Sequence, residues 1–384
     1  MALKWKSGFI ILCCLAIFSC RKAEIHPSSA ENYPPTSFNN IFEAFWVGMD
    51  NNYVFWDVDE KKVDWDGMYN KYKPLFSQLD ITNYEDVLTG VNYVQEMTRN
   101  LTDSHLAITF NDSRLSGYVF SPSAYRKMYK DFSKNVTDTQ LYVNNPKTYF
   151  DTPYYETASS ALNILSGTIQ KNILYLHFNR FNLKSYFDTS GGNIDALRFF
   201  INSIENTNAN NFKGIIIDLR NNSGGNVEDL NFLLGLFVQK PLNFGYLRYK
   251  AGNNRLDYTP CINASIIPQQ NAVNLNTPIR VLTNSISVSM AEISTMALRA
   301  MLNTKVIGDT TWGATGIIPN NYNNQQYNGG PFIAASFVNV YTPAAEFKYI
   351  DNKIYEGIGF PPDIYIVNTL AGKDEQLEKA ISSF

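Results

Sequence analysis

Gly214-Ile-Ile-Ile-Asp-Leu-Arg-Asn-Asn-Ser-Gly-Gly225 is the stretch on which the fold turns. Its first six residues are a near-continuous apolar run, the pattern of a strand buried on both faces of a parallel sheet. Polar residues and two glycines then make a turn, and residues 227–237 carry helical spacing. Working outward, Ile173-Leu-Tyr-Leu-His-Phe178 predicts a second strand and residues 193–204 a helix. Downstream, Pro278-Ile-Arg-Val-Leu-Thr283 predicts a third strand. Ile286-Ser-Val-Ser-Met-Ala-Glu292 enters a helix whose apolar positions include Ile293, Met296, Ala297 and Met301, and 304–307 is a further strand. Alternation of strand and helix over 174–307 predicts an α/β core. After Gly308 come turns and strand-like segments, then a last amphipathic helix at 374–383.

The part before this core reads differently. Ile41, Phe42, Phe45, Trp46 and Met49 share one helical face, and further helices are predicted after Val63-Asp-Trp-Asp66 and over 84–100. The last of these leaves through Leu101-Thr-Asp-Ser-His-Leu-Ala-Ile-Thr109, a turn leading into a strand. Residues 38–110 therefore form an amino-terminal helical region, 111–170 an irregular or small β insert, and 171–384 the core. With 45% apolar and 17% charged residues the chain can bury a large core, and a net charge of −3 provides no basic stripe for nucleic acid.

The first residues have the features of an export signal. Lys4 and Lys6 precede an apolar run at 8–18 that is too short to span a bilayer. It ends in Ile17-Phe-Ser-Cys20, which resembles a bacterial lipobox, so 1–19 is expected to be a signal peptide and Cys20 the lipidated residue. Residues 20–37 follow as a flexible tether. With Arg21 directly after the anchor, the expected place is the outer membrane, facing the periplasm or the cell surface. Beyond the leader only Cys261 remains, so no internal disulfide is expected.

The chemistry can be narrowed by residue type. Three histidines, none spaced as a pair, and one body cysteine argue against a metal centre, and no cofactor is expected. Ser223-Gly-Gly225 has no following Gly-Lys-Ser/Thr, which disfavours a nucleotide loop. Its glycines serve either a tight turn or close backbone approach to a reacting oxygen. Ser289, at a strand-to-helix junction, is either a helix cap or a nucleophile favoured by the helix dipole. A serine nucleophile needs a base, and the body holds two histidines. His177 lies within an apolar strand and reads as a core residue. His105, beside Ser104 on a turn, is the candidate base.

Six blocks then carry a family resemblance, in order along the chain. Leu101-Thr-Asp-Ser-His105, Asp218-Leu-Arg-Asn-Asn-Ser-Gly-Gly225 and Ser289-Met-Ala-Glu292 are the first three. Ile307-Gly-Asp-Thr-Thr-Trp-Gly313, Tyr355-Glu-Gly-Ile-Gly-Phe-Pro-Pro-Asp363 and Asp374-Glu-Gln-Leu-Glu-Lys-Ala-Ile381 complete the set. Together they resemble the tail-specific, or C-terminal-processing, serine peptidase family. The resemblance implies a ClpP/crotonase-like α/β core and peptide-bond hydrolysis through an acyl-enzyme on Ser289. Backbone N–H groups of Gly224 (or Gly225) and Met290 would form the oxyanion hole.

One departure matters for mechanism. Where the lysine-dyad branch places its base, this chain has Ala314, and no lysine lies between Val306 and Phe347. The other branch is similar to the tricorn core peptidase and uses an upstream Ser-His pair with a downstream Glu. That implies Ser104 and His105, with Glu356 as the acid and Glu346 as its rival. Glu292 is expected to stabilise its helix dipole, and Asp218 with Arg220 to form a structural pair. Residues 111–167 are short for the PDZ module that many relatives carry, so recognition of a free C-terminus through one is not expected. The substrate is then a peptide or protein, and the membrane is reached through the lipid anchor. The alternative is a non-catalytic protein of the same fold that binds a hydrophobic ligand or a peptide.

Overall fold

The computed structural model describes residues 36–59, 61–124, 145–151, 155–158, 162–189, 195–205, 211–252, 254–319, 329–368 and 373–384. The expected signal peptide, Cys20 and nearly all of the tether lie outside these residues. From Phe38 the helical spacing is realised as α1 (Phe38–Asn52), the short α2 (Trp56–Asp59), α3 (Trp65–Phe76) and α4 (Tyr84–Thr98). Each long helix starts on a side-chain cap: Ser37 accepts from Asn40, Asp64 from Gly67 and Asn83 from Glu85. Their apolar faces meet in an aromatic cluster in which Phe42 stacks on Phe76 at 5.0 Å and Trp56 lies 5.0 Å from Trp65.

Two strands follow, β1 (Ala107–Phe110) and β2 (Val119–Phe120), then β3 (Tyr155–Ala158), β4 (Asn163–Ile169) and β5 (Ile173–Phe178). Next come α5 (Leu183–Thr189), α6 (Asp195–Glu205), β6 (Gly214–Asp218), α7 (Glu228–Leu234), β7 (Leu242–Tyr249) and β8 (Ile262–Ile266). The chain continues with β9 (Ile279–Thr283), α8 (Met290–Arg299) and β10 (Thr304–Gly308). It closes with β11 (Phe332–Ala334), β12 (Val338–Tyr341), β13 (Ala345–Tyr349), β14 (Ile364–Tyr365) and α9 (Glu375–Ser382).

The central sheet has the order β14-β10-β9-β6-β5-β4-β3, parallel from β14 to β5 and antiparallel at β4 and β3. Every residue of β5, β6 and β9 is buried, as their apolar runs require of strands covered on both faces. The mixed α/β core with an amino-terminal helical region is therefore as expected. One boundary is corrected: β3 and β4, placed by sequence in an insert at 111–170, extend the central sheet. Pairing with β5 from Ile164↔Phe178 to Ile169↔Ile173 recruits them, a tertiary contact that local spacing does not encode.

The helical region is not separate from the core either. β1 pairs with β12, from Ala107↔Tyr341 to Phe110↔Val338, in a four-stranded sheet. Ala334, Val338 and Val340 pack into the aromatic cluster of α1, α3 and α4. The far end of the chain thus completes the near end, and the Ser104–His105 turn, just before β1, is anchored on a sheet built from both.

Candidate active site

Ser289 follows β9 and stands at the N-cap of α8 with φ 58° and ψ −117°. A non-glycine residue at positive φ is strained and survives only where its surroundings enforce it. Here they do. Val288 N–H donates to Asn222 O (2.9 Å), Ser287 Oγ to Leu219 O (2.8 Å), and Ser289 N–H to a Glu292 carboxylate oxygen (3.0 Å). The nucleophile candidate is therefore tied to the turn that leaves β6, and Ser289 itself is half-buried.

The two glycines of that turn are there for close approach. A Cβ on Gly224 (φ +81°) would lie 2.6 Å from Ser289 Cβ and 3.0 Å from Met290 N; one on Gly225 (φ +141°) would meet Phe181 O at 2.1 Å. Backbone, Ser289 and the first N–H of α8 so converge on one point. Gly224 N–H donates to Asn222 Oδ1 at 2.9 Å. Among the described residues the N–H groups of Gly225 and Met290 have no protein partner. Of the two glycines named from sequence, Gly225 is the one with its donor open.

The second half of the site is the 101–106 turn. Asp59 accepts from Thr102 N–H at 2.8 Å and from its hydroxyl, and Tyr53 Oη accepts from Asp103 N–H at 3.2 Å. Asp103 accepts from His105 N–H (2.7 Å) and from Thr342 Oγ1 (2.8 Å), and Ser104 N–H donates to Glu356 Oε1 at 2.6 Å. A ring nitrogen of His105 and carboxylate oxygens of Asp103 and Glu356 lie within 4.8 Å of one another. Ser104 Oγ and His105 Nδ1 are both buried without a protein partner among the described residues.

Burial governs the protonation of this cluster. It pushes the His105 imidazole from 6.5 down to about 4, leaving it neutral and able to accept a proton. It pushes Asp103 from 3.8 up to about 7. Glu356 is held well above the usual carboxylate range, first by burial and then by the charge of Asp103. Three ligand-type side chains meet here, yet both carboxylates already accept backbone N–H groups as a structured turn does. They fit acid–base work without calling for a metal.

Glu346, the rival acid, sits elsewhere: on β13 its carboxylate takes both Arg248 Nε (3.0 Å) and Arg248 Nη2 (2.9 Å). His177 is buried with Nδ1 3.1 Å from Asp218 O, as a core histidine should be. Asp218 and Arg220 form the expected structural pair, extended by Asp374 (2.7 Å). Glu292 departs from expectation. It is fully buried and accepts from Ser289 N–H, Thr311 Oγ1, Gly313 N–H and Ala314 N–H. Its place three residues after a capping serine was the available signal. Asp103 was also missed, although an Asp two residues before the candidate histidine is a turn-forming pattern.

Residues 172–366, just over half of the chain, match peptidase family S41, and residues 34–85 match the tricorn protease C1 domain. The chain belongs to peptidase family S41. The carboxy-terminal processing protease CtpA of Bacillus subtilis (strain 168) is 30% identical over 154 residues, which cover 40% of this chain. The chain spans 30% of the length of that curated relative. Among solved structures, a candidate peptidase from Parabacteroides merdae ATCC 43184 aligns over 91% of this chain and 97% of its own, at 23% identity and a TM-score of 0.67. Mature CPAF aligns over 90% and 95%, at 13% identity and a TM-score of 0.59. At these identities the likeness to the two structures concerns the fold. The S41 match spans β5, β6, β9 and α8, and with them Ser289, both glycines and Glu356. The tricorn-like match covers α1, α2 and α3, and with them Tyr53 and Asp59, whose side chains hold the turn of His105.

Proposed function

We propose that this chain is an exported serine endopeptidase that cleaves peptide bonds through an acyl-enzyme on Ser289. The observation that carries the proposal is the convergence of Gly224 and the first N–H of α8 on a strained Ser289. His105 takes the proton from Ser289 Oγ as the oxygen attacks the carbonyl carbon. The carbonyl oxygen gains the negative charge and accepts from the N–H groups of Gly225 and Met290. As the tetrahedral species collapses, the C–N bond breaks and His105 returns the proton to the leaving amine. Water then repeats the sequence on the ester, releasing the new carboxyl end and restoring Ser289.

Ser104 and Glu356 orient the base. A Ser104 hydroxyl placed between Glu356 and His105 Nδ1 would satisfy both orphaned atoms at once and stabilise the imidazolium as it forms. Membrane attachment through a lipid on Cys20 belongs to the same proposal. It is supported by the basic and apolar run before that cysteine, and incorporation of labelled palmitate that disappears in Cys20→Ala tests it.

A fluorophosphonate probe tests the chemistry. Ser289 becomes covalently labelled, labelling vanishes in Ser289→Ala, and it falls sharply in His105→Ala. A parent protein that takes no label, or equal labelling in Ser289→Ala, overturns the assignment and favours the non-catalytic binding alternative.

A further inference from the structure

Residues 311–316 occupy an unusual position: five consecutive backbone N–H groups in this loop donate to the framework of the site. Trp312 N–H donates to Ser287 O at 3.0 Å. Gly313 and Ala314 N–H donate to Glu292 Oε1 and Oε2, each at 2.6 Å. Thr315 and Gly316 N–H donate to Glu356 Oε2 at 2.5 and 2.8 Å. One side of the loop therefore hangs on the carboxylate that holds Ser289 N–H, and the other on the carboxylate that holds Ser104 N–H. The loop is also clamped from outside. Gly357 N–H donates to Gly313 O (2.7 Å), and a Cβ on Gly359 would meet Thr311 O at 2.1 Å.

This arrangement answers a mechanical problem. Ser289 rides on α8, packed in the core of the central sheet, whereas the Ser104–His105 turn rests on the separate aromatic core. Two groups carried by different cores must still meet within a fraction of an ångström, and a misplacement of about 1 Å can cost about 10²-fold in rate. Residues 311–316, with one buried carboxylate at each end, form a continuous hydrogen-bonded path between the two halves.

We propose that Glu292 is a positioning residue which, through residues 311–316, sets the register of Ser289 against the Ser104–His105 turn. The proposal rests on the reading of Ser289 and His105 as the reactive pair. Both Glu292 oxygens accept two hydrogen bonds, so an isosteric glutamine must turn its NH2 against at least one backbone N–H whichever way it flips, Gly313 on one side or Ser289 and Ala314 on the other. Thr311 Oγ1, which donates to Glu292 at 2.6 Å and accepts from Phe360 N–H at 2.8 Å, is the side-chain link of the same bracket.

The test is fluorophosphonate labelling of the full chain. Glu292→Gln lowers the rate by about 10²-fold, the size expected of lost alignment. Groups that act as a unit are not additive, so in a His105→Ala background the same change costs less than about 3-fold more. Thr311→Val loses at least about 10-fold more than Thr311→Ser, which retains the hydroxyl; this pair remains decisive if Glu292→Gln fails to fold. Labelling of a folded Glu292→Gln within about 3-fold of the parent overturns the proposal, as does a loss that multiplies in full on His105→Ala or equality of the two Thr311 variants. Loss of label in Ser289→Ala and His105→Ala alongside an indifferent Glu292→Gln would sink the bracket alone. Labelling retained in Ser289→Ala would sink the reading beneath it.

Discussion

Two groups of buried charge in this protein are solved in opposite ways. In one, Arg220 is fully buried between Asp218 and Asp374, donating to both oxygens of each. Burial alone would push Asp218 up, but the guanidinium beside it outweighs that and leaves the carboxyl below its ordinary value. In the other, Asp103, Glu292 and Glu356 are as deeply buried, and no basic side chain forms an ion pair with them among the described residues. Backbone N–H groups and hydroxyls hold them instead, and burial leaves all three raised. A full counter-charge makes a strut. Dipoles without a counter-charge hold carboxyls close to protonation beside a neutral imidazole, which is what proton transfer needs.

The contrast can be broken most forcefully at the strut. Arg220→Met leaves two buried carboxylates without a cation, and stability should fall by about 3–5 kcal/mol in denaturant titration. Glu356→Gln should instead divide the two readouts. Fluorophosphonate labelling falls by about 10²-fold, the size typical of lost acid–base support, while the denaturation midpoint moves far less than in Arg220→Met. Equal losses of stability in the two variants would contradict the distinction.

Proton-linked behaviour sharpens it further. Asp103 is pushed from 3.8 up to about 7, so between those values the folded state binds more protons than the unfolded one. Its contribution to stability is therefore fully present below about pH 4 and is lost as pH rises toward 7. Asp103→Asn should flatten that decline, seen as a smaller drop in melting temperature between pH 5 and 8 (about 1 unit of pH resolves it). The mildest effect is on the acid limb of labelling. With His105 lowered from 6.5 to about 4, the base is lost only as pH falls through about 4, and a midpoint at 6.5 would place His105 in a more solvated setting.

The amino-acid sequence by itself determined what depends on near neighbours. The apolar runs of β5, β6 and β9, the helical faces of the amino-terminal region, and the placing of Ser289 between strand and helix all follow from spacing within a few residues. So did the choice of His105 over His177, because one lies in a turn and the other in an apolar strand. The lack of lysine between Val306 and Phe347 is likewise a matter of reading. Other features depend on segments far apart in the chain, even where, as for Glu356 over Glu346, the family resemblance had already named a preference. Glu356 and Glu346 are ten residues apart and alike in type; only the fold sets one on Ser104, across 252 residues of chain, and the other on Arg248. Glu292 reads as a helix-dipole residue until residues 311–316 fold over it, and β3 and β4 read as an insert until β5 offers an edge. Local periodicity is set by backbone geometry and side-chain entropy over one or two turns. Which buried carboxylate meets which donor is decided only when distant segments are desolvated together, and in this protein that step assembles the site.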